Sequence, residues 1–273
     1  MTPLERTLVF WVPDWPIHAH LRDQEAEEQP QERVSPAQAA DPPPTNDRAI
    51  APIALIAQHR VVACSPAARA EGVRTGLRER EAQSRCPNLV VHAHQPEVDE
   101  RRFAPVVAAL EQLIPEIELR RPGLCAMRVR GPARYYGGEE PAAAALLQLA
   151  TELGFPLARV GIADGLFAAE QVVRAATTSP GVEAPADGIR ICAPGGSAAF
   201  LSQLPVSRAA SAGFADLLLG LGIRTLGALA ALPEEAVQQR FGAEGLTAHR
   251  RAAARGQDRG AEVQPRDPVR AHA

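Results

Sequence analysis

At 273 residues with 46% hydrophobic content, the chain can bury a large core and is long enough for more than one domain. A formal net charge of −3 excludes a global electrostatic pull on nucleic acid, so any DNA contact must come from a local patch. Every basic residue is Arg and Lys is absent, a pattern of GC-rich coding, so an Arg excess by itself carries no message about phosphate recognition.

Arg6 to Val12 is a continuous apolar run bounded by Pro13 and reads as a buried central strand. Asp14-Trp15-Pro16 turns the chain, and Ile17 to Leu21 starts a short helix. Asp23 to Pro52 is acidic and proline-rich, with too little apolar surface to offset ordering entropy; it reads as a flexible insertion. Ile53 to Ala57 and Arg60 to Ala63 form a hairpin around Gln58-His59. Ser65 is placed to cap a helix with Pro66 at its first position, and Ala67 to Ala70 propagate it until Gly72. Gly76 marks a turn, and a second helix runs to Cys86 before Pro87. His92 and His94 alternate on a strand; two such ligands can begin a metal site, but no third accompanies them, which favours solvent-facing side chains.

Phe103, Val106, Val107, Leu110, Leu113 and Ile114 make one helical stripe ended by Pro115. Strands follow at Ile117 to Leu119 and Leu124 to Val129, around Arg121-Pro122-Gly123, which suits a type II turn. A helix over Pro141 to Leu153, a strand over Leu157 to Ile162 and a helix over Gly165 to Ala176 complete the unit. Strand, helix, two strands, helix, strand is the ferredoxin-like order, here with an insertion after the first strand. Thr177 to Pro185 is a loop and Gly188 to Cys192 a strand; from Phe200 the chain is helical, with a turn at Leu221-Gly222-Ile223. Arg259 to Ala273 is a polar tail without periodicity. Four scattered cysteines, none in a C-x-x-C pair, point to neither a zinc site nor a disulfide framework. No apolar run is long enough to span a membrane, and no basic-then-apolar leader opens the chain.

The order and spacing of Ser65, Ala68, Arg69, Gly72, Val73, Gly76, Ala82, Cys86, Pro87 and Leu89 resemble the fingers segment of the Y-family, or translesion, DNA polymerases. Pro66 departs from the pattern, which has an aromatic residue there against the incoming nucleotide. The resemblance implies an α/β (α+β) fold: a ferredoxin-like palm at 1–14 and 90–176, fingers at 15–89 with the flexible insertion at about 23–52, and a helical thumb at 177–258, with the tail at 259–273. It also implies that the turn at Gly222-Ile223, with Arg224 beside it, is helix-hairpin-helix-like and aims backbone N–H groups at a phosphate; a plain helical hairpin is the other reading.

The same resemblance locates the chemistry. Two-metal nucleotidyl transfer needs clustered carboxylates around hard divalent ions. Aligning the family's first-strand motif on Asp14 puts Val12 at a metal-ligand position, and Pro16 and Ile17 at the two aromatic positions that follow. The family's Asp-Glu pair falls on Gly123-Leu124. A phosphate-contacting Lys is replaced within Gly161 to Leu166, so Asp14 and Arg69 remain as remnants of the nucleotide pocket. No metal and no cofactor are expected. Arg120, Arg121, Arg128, Arg130 and Arg134 make the vicinity basic, which suits either a phosphate backbone or a solvated strand face.

Three segments narrow the resemblance to the ImuB branch: Val12-Pro13-Asp14-Trp15-Pro16, Arg121-Pro122-Gly123-Leu124, and Gly131 to Glu139. The resemblance covers most of residues 6 to 258. It implies a non-catalytic, cytoplasmic, nucleoid-associated adaptor in damage-induced (SOS) mutagenic translesion synthesis. Such an adaptor binds DNA primer-template weakly and without sequence preference, and works with an error-prone polymerase and the sliding clamp. The family's little finger and clamp-binding segment are not seen after the thumb, so the clamp contact is expected to be missing from this sequence. A weakly active polymerase with atypical metal ligands and a degenerate structural fragment are the competing readings.

Overall fold

The computed structural model describes residues 5–28 and 51–255. Its centre is a six-stranded sheet in the order β5-β6-β1-β7-β9-β8. The strands are β1 (Arg6–Trp11), β5 (Glu118–Arg121), β6 (Leu124–Arg128), β7 (Arg159–Asp164), β8 (Val182–Glu183) and β9 (Ile189–Cys192). Strand β1 lies antiparallel between β6 and β7, pairing Trp11 with Leu124 on one side and with Arg159 on the other. The four strands β5-β6-β1-β7 have the ferredoxin-like order expected from the sequence.

Alternation along β1 sorts the two faces. Leu8, Phe10 and Val12 enter one core with Cys125, Met127, Val160 and Ile162. The helices α4 (Pro96–Leu113) and α6 (Glu139–Glu152) cover that face through Phe103, Val106, Leu110, Ala143 and Leu146. Val9, Leu124, Ala126 and Ala163 enter a second core under α7 (Leu166–Val172) and the C-terminal helices α8 (Ser197–Ser202), α9 (Ala212–Gly220), α10 (Leu226–Ala230) and α11 (Glu234–Ala252). Helix α11 is broken at Gly242, whose φ and ψ are non-helical. Because β1 is buried on both faces it reads as an unbroken apolar run, as a central strand should.

Arg6 ties the sheet to the helices. Its guanidinium donates to both carboxylate oxygens of Glu139 at 2.6 and 2.7 Å, to Asp164 at 3.2 Å and to the Cys192 carbonyl at 2.8 Å. Glu139 opens α6, so this bidentate pair fixes where that helix starts.

A separate three-stranded sheet, order β3-β2-β4, joins β2 (Ile53–Ala57), β3 (Arg60–Cys64) and β4 (Val90–Ala93). Gln58 and His59 both have positive φ, the geometry of a two-residue hairpin turn. Ser65 caps α2 (Pro66–Ala70), its hydroxyl accepting from Ala68 N–H at 3.3 Å, and α3 (Glu79–Arg85) ends before Pro87 as expected.

Two expectations need correction, and one helix forms where no element was expected. Helix α1 (Trp15–Glu28) continues past Leu21 through the first residues assigned to the flexible insertion. Asp23 on this stretch accepts hydrogen bonds from Arg101 and Arg102 of α4, at 2.6 and 2.7 Å, and those tertiary contacts hold a helix that lacks apolar periodicity. Residues 29–50 of that expectation lie outside the described residues, as does the tail. Helix α5 (Arg130–Tyr136) forms in the Gly-Pro segment, with Pro132 inside its first turn, where a missing N–H costs nothing. His94 does not face solvent: it is half-buried and meets the Asp99 carboxylate at 2.8 Å. Burial pushes the Asp99 carboxyl above its ordinary range, and the His94 contact opposes that.

Candidate nucleic-acid interface

Val12, Gly123 and Leu124 come together at one end of the main sheet. Val12 N–H donates to the Gly123 carbonyl at 2.8 Å, and Leu124 is the β-partner of Trp11. Val12 is buried in one core and Leu124 in the other. Gly123 has a φ of +82, which fits the second central position of the expected turn. A β-carbon added to it would overlap the β-carbon of Trp15 and sit 2.9 Å from Trp15 Cγ. Two aliphatic side chains and a glycine with no room for a side chain do not fit a pair of hard divalent cations, which take oxygen ligands. Among the described residues no group of three or more His, Cys, Asp and Glu side chains could hold a metal ion.

Trp15 is why this corner is closed. It is 1% exposed, its indole Nε1 donates to the Asp99 carbonyl at 3.0 Å, and its ring lies 4.7 Å from Phe103 and 5.2 Å from Phe155. The buried indole, with its N–H satisfied, pins the start of α1 onto α4 and the end of α6.

Asp14 and Arg69 meet in an ion pair that joins the start of α1 to α2. Arg69 also donates to the Cys64 carbonyl at 3.2 Å. Asp14 adopts a φ of +53, a left-handed conformation that Asp tolerates better than most residues. The sequence pairs these residues as a pocket remnant, and the structure places the guanidinium on the carboxylate.

The five arginines of the basic strip do not form one patch. Arg120 and Arg121 sit at the β5 end, where Arg120 pairs with Glu118. Arg128 lies four residues along β6 from Leu124, about 13 Å away at 3.3 Å per residue, and pairs with Glu5 at 3.1 Å. Arg130 and Arg134 are carried further by α5. The turn at Gly222 is a helix C-cap. Gly222, at φ +81, donates to the Leu219 carbonyl at 3.0 Å, and Ile223 donates to Leu218 at 2.9 Å. This 5→2 and 6→1 pairing is a Schellman motif, with Ile223 and Leu218 both in the second core. Those two N–H groups are therefore occupied, and what the turn presents to solvent is the exposed Arg224.

Sequence reasoning missed a second basic group at the same end of the sheet. Trp11 is half-buried beside Arg159, its β-partner, and the guanidinium groups of Arg159 and Arg174 lie 5.9 and 5.1 Å from its ring centre. These residues come from different elements and share no local motif. The one available sign was Trp11 itself, an aromatic residue ending an otherwise aliphatic strand.

Residues 44–172, a little under half of the chain, match the model of the impB/mucB/samB family. An insertion ternary complex of Dbh DNA polymerase superposes with a TM-score of 0.64 at 14% identity, covering 92% of this chain and 68% of that one. DinB from Sulfolobus solfataricus superposes with a TM-score of 0.58 at 15% identity, over 90% of this chain and 66% of that one. A further Dbh ternary complex gives 0.61 at 14% identity, again over 66% of its chain. The chain has the fold of these polymerases. It spans about two thirds of their length, and no curated protein matches it in sequence.

Proposed function

We propose that this chain is a non-catalytic Y-family polymerase homologue of the ImuB branch that binds DNA during mutagenic translesion synthesis. In this reading the main sheet is the palm, the small sheet with α2 and α3 the fingers, and α8 to α11 the thumb. Val12, Gly123 and Leu124 are the three vacated carboxylate positions. The observation that carries the reading is the geometry of Gly123, whose backbone conformation and contact with Trp15 leave no space for a ligand. The Asp14–Arg69 pair supports it as well, since an arginine held by a carboxylate is less available to a triphosphate. What remains useful is attraction for phosphodiesters, which needs cationic side chains and no metal. A polymerase partner and the sliding clamp belong to the same proposal.

The test is a paired measurement on one purified sample. Extension of a labelled primer-template with magnesium or manganese is expected to be absent, while anisotropy reports micromolar binding of the same DNA at low salt. Template-directed incorporation that survives stringent purification would establish an active enzyme instead.

A further inference from the structure

Among the described residues, several arginines of the sheet and helices are neutralised by carboxylates. Arg6, Arg101, Arg102, Arg128 and Arg250 each meet a carboxylate. Arg121, Arg159, Arg174 and Arg208 do not: none is within salt-bridge distance of a carboxylate among the described residues. They come from four places in the chain, namely the ends of β5, β7 and α7 and the short turn at Val206–Arg208. Two of them lie over Trp11. Arg174 is partly buried, and its pKa is lowered by that burial and by the nearby charges of Arg121 and Arg208, with Glu170 opposing. Like charges drawn together around a half-buried guanidinium, with one acid in range, are an unfavourable arrangement in the empty protein. A bound polyanion would relieve it.

We infer that Trp11, Arg121, Arg159, Arg174 and Arg208 form a metal-independent site for the phosphodiester backbone of a DNA strand, at the end of the sheet next to Val12 and Gly123. The inference rests on the DNA-binding reading above and gives it a location. Arginine suits the task because its guanidinium binds phosphate oxygens through paired N–H groups and remains charged when partly desolvated. Arg208 stands on the C-terminal helical segment and the others on the sheet and α7, so a strand held by all four bridges the two cores. The occupant is a strand of DNA in preference to a small anion, because four cations on separate elements match the repeated charge of a backbone.

Trp11 supplies a local reporter. The chain has two tryptophans, and Trp15 is 1% exposed, so a ligand at this site changes Trp11 emission and leaves Trp15 unmoved. The experiment titrates the full chain with unlabelled primer-template in EDTA, following tryptophan emission, with fluorescein-labelled DNA anisotropy in parallel. Saturable quenching without metal is expected, lost on Trp11→Phe. The double variant Arg121→Glu/Arg208→Glu, both exposed positions, is expected to weaken DNA binding at least tenfold and to abolish quenching. Arg224→Glu is expected to weaken binding but to keep the quench at saturation. Normal DNA binding by anisotropy, with Trp11 emission unmoved or the double variant unimpaired, would overturn this site and leave the DNA-binding reading standing. No binding at low salt would overturn both. Quenching that requires magnesium would refute the metal-independent site. Quenching by inorganic pyrophosphate that DNA does not displace would assign the site to a small anion and overturn the inference.

Discussion

Gly123 and Trp15 are packed so closely that position 123 has no room for a side chain. The β-carbon that any other residue would bring to position 123 falls on the β-carbon of Trp15, 3.2 Å from the Val12 carbonyl. The two segments Val12 to Pro16 and Arg121 to Leu124 are distant in sequence, but this contact makes them one structural unit. A tryptophan at the start of α1 and a glycine at the β5–β6 turn are two halves of the same packing solution.

Gly123→Ala should therefore be among the most damaging single-methyl changes in the protein. It combines the cost of a positive φ, about 1 kcal/mol, with overpacking of about 1–3 kcal/mol. Urea unfolding should show a loss of about 2–4 kcal/mol relative to wild type. As a control, Gly222→Ala shares the positive φ but has open space at its β-carbon, so its cost should stay near the strain term alone, about 1 kcal/mol. Equal losses at the two glycines would show that backbone strain, rather than the Trp15 contact, governs position 123.

Placing carboxylates at the three positions proposed as vacated should not produce a polymerase. In the triple variant Val12→Asp, Gly123→Asp, Leu124→Glu, two charges enter buried positions, since Val12 and Leu124 are 2% and 1% exposed. Unpaired buried carboxylates cost several kcal/mol each, and the Gly123 overlap adds to that. The variant is expected to be insoluble or to lose its cooperative thermal transition. A folded triple variant that extends a primer with magnesium would show that the corner adapts more readily than its packing suggests.

Much of the fold was legible because local chemistry and tertiary structure agree. The two-faced burial of β1, the Gln58-His59 hairpin, the Ser65 cap and the positive φ of Gly123 all follow from residues within a few positions. What escaped notice depends on distant partners. Helix α1 runs to Glu28 because Asp23 is held by Arg101 and Arg102, more than seventy residues away. The strip from Arg120 to Arg134 looked continuous in one dimension, but strand and helix geometry separates its ends. Conversely, Arg121, Arg159, Arg174 and Arg208 are scattered in sequence and converge only through the sheet order and the packing of the C-terminal helices. Val12, Gly123 and Leu124, proposed here as vacated carboxylate positions, could be named from the sequence resemblance, whereas the contact of Gly123 with Trp15 required three dimensions.

His18 should leave a trace in the pH dependence of stability. Burial, then the charge of Arg22, lowers its pKa below the ordinary 6.5, with Asp14 opposing. The unfolded chain therefore takes up this proton more readily than the folded one. His18 contributes fully above about pH 6.5, and the contribution is lost as pH falls toward the lower folded value. Urea midpoints measured from pH 7.5 to 5 should decline in wild type more steeply than in His18→Gln. Parallel curves would show that His18 protonates equally in both states.

The four cysteines should be silent toward thiol reagents. Cys64, Cys86, Cys125 and Cys192 are free and buried, and burial pushes the Cys125 thiol up to about 12. Burial also raises Cys64 and Cys192. The thiolate is the reactive form, so both access and ionisation are denied. A disulfide exchange reagent at pH 8 should label fewer than one thiol per chain in minutes and all four in urea. Rapid labelling of the native protein would reveal an opening in one of the cores.

The last expectation concerns Arg224. The Gly222 and Ile223 N–H groups are committed to the cap of α9, so in the proposed DNA-binding role a phosphate contact at this turn would fall to the Arg224 side chain. One phosphate contact contributes about 0.9 to the slope of log affinity against log salt, and it reads no sequence. Arg224→Glu is therefore expected to weaken binding by roughly fivefold to tenfold at about 0.1 M salt, equally for unrelated primer-templates, and to reduce the salt slope by about 1. Anisotropy titrations at four salt concentrations on two DNA sequences give both quantities. A loss confined to one sequence would indicate base readout. An unchanged slope would mean that Arg224 stands clear of the DNA, leaving the contacts to the arginines gathered around Trp11.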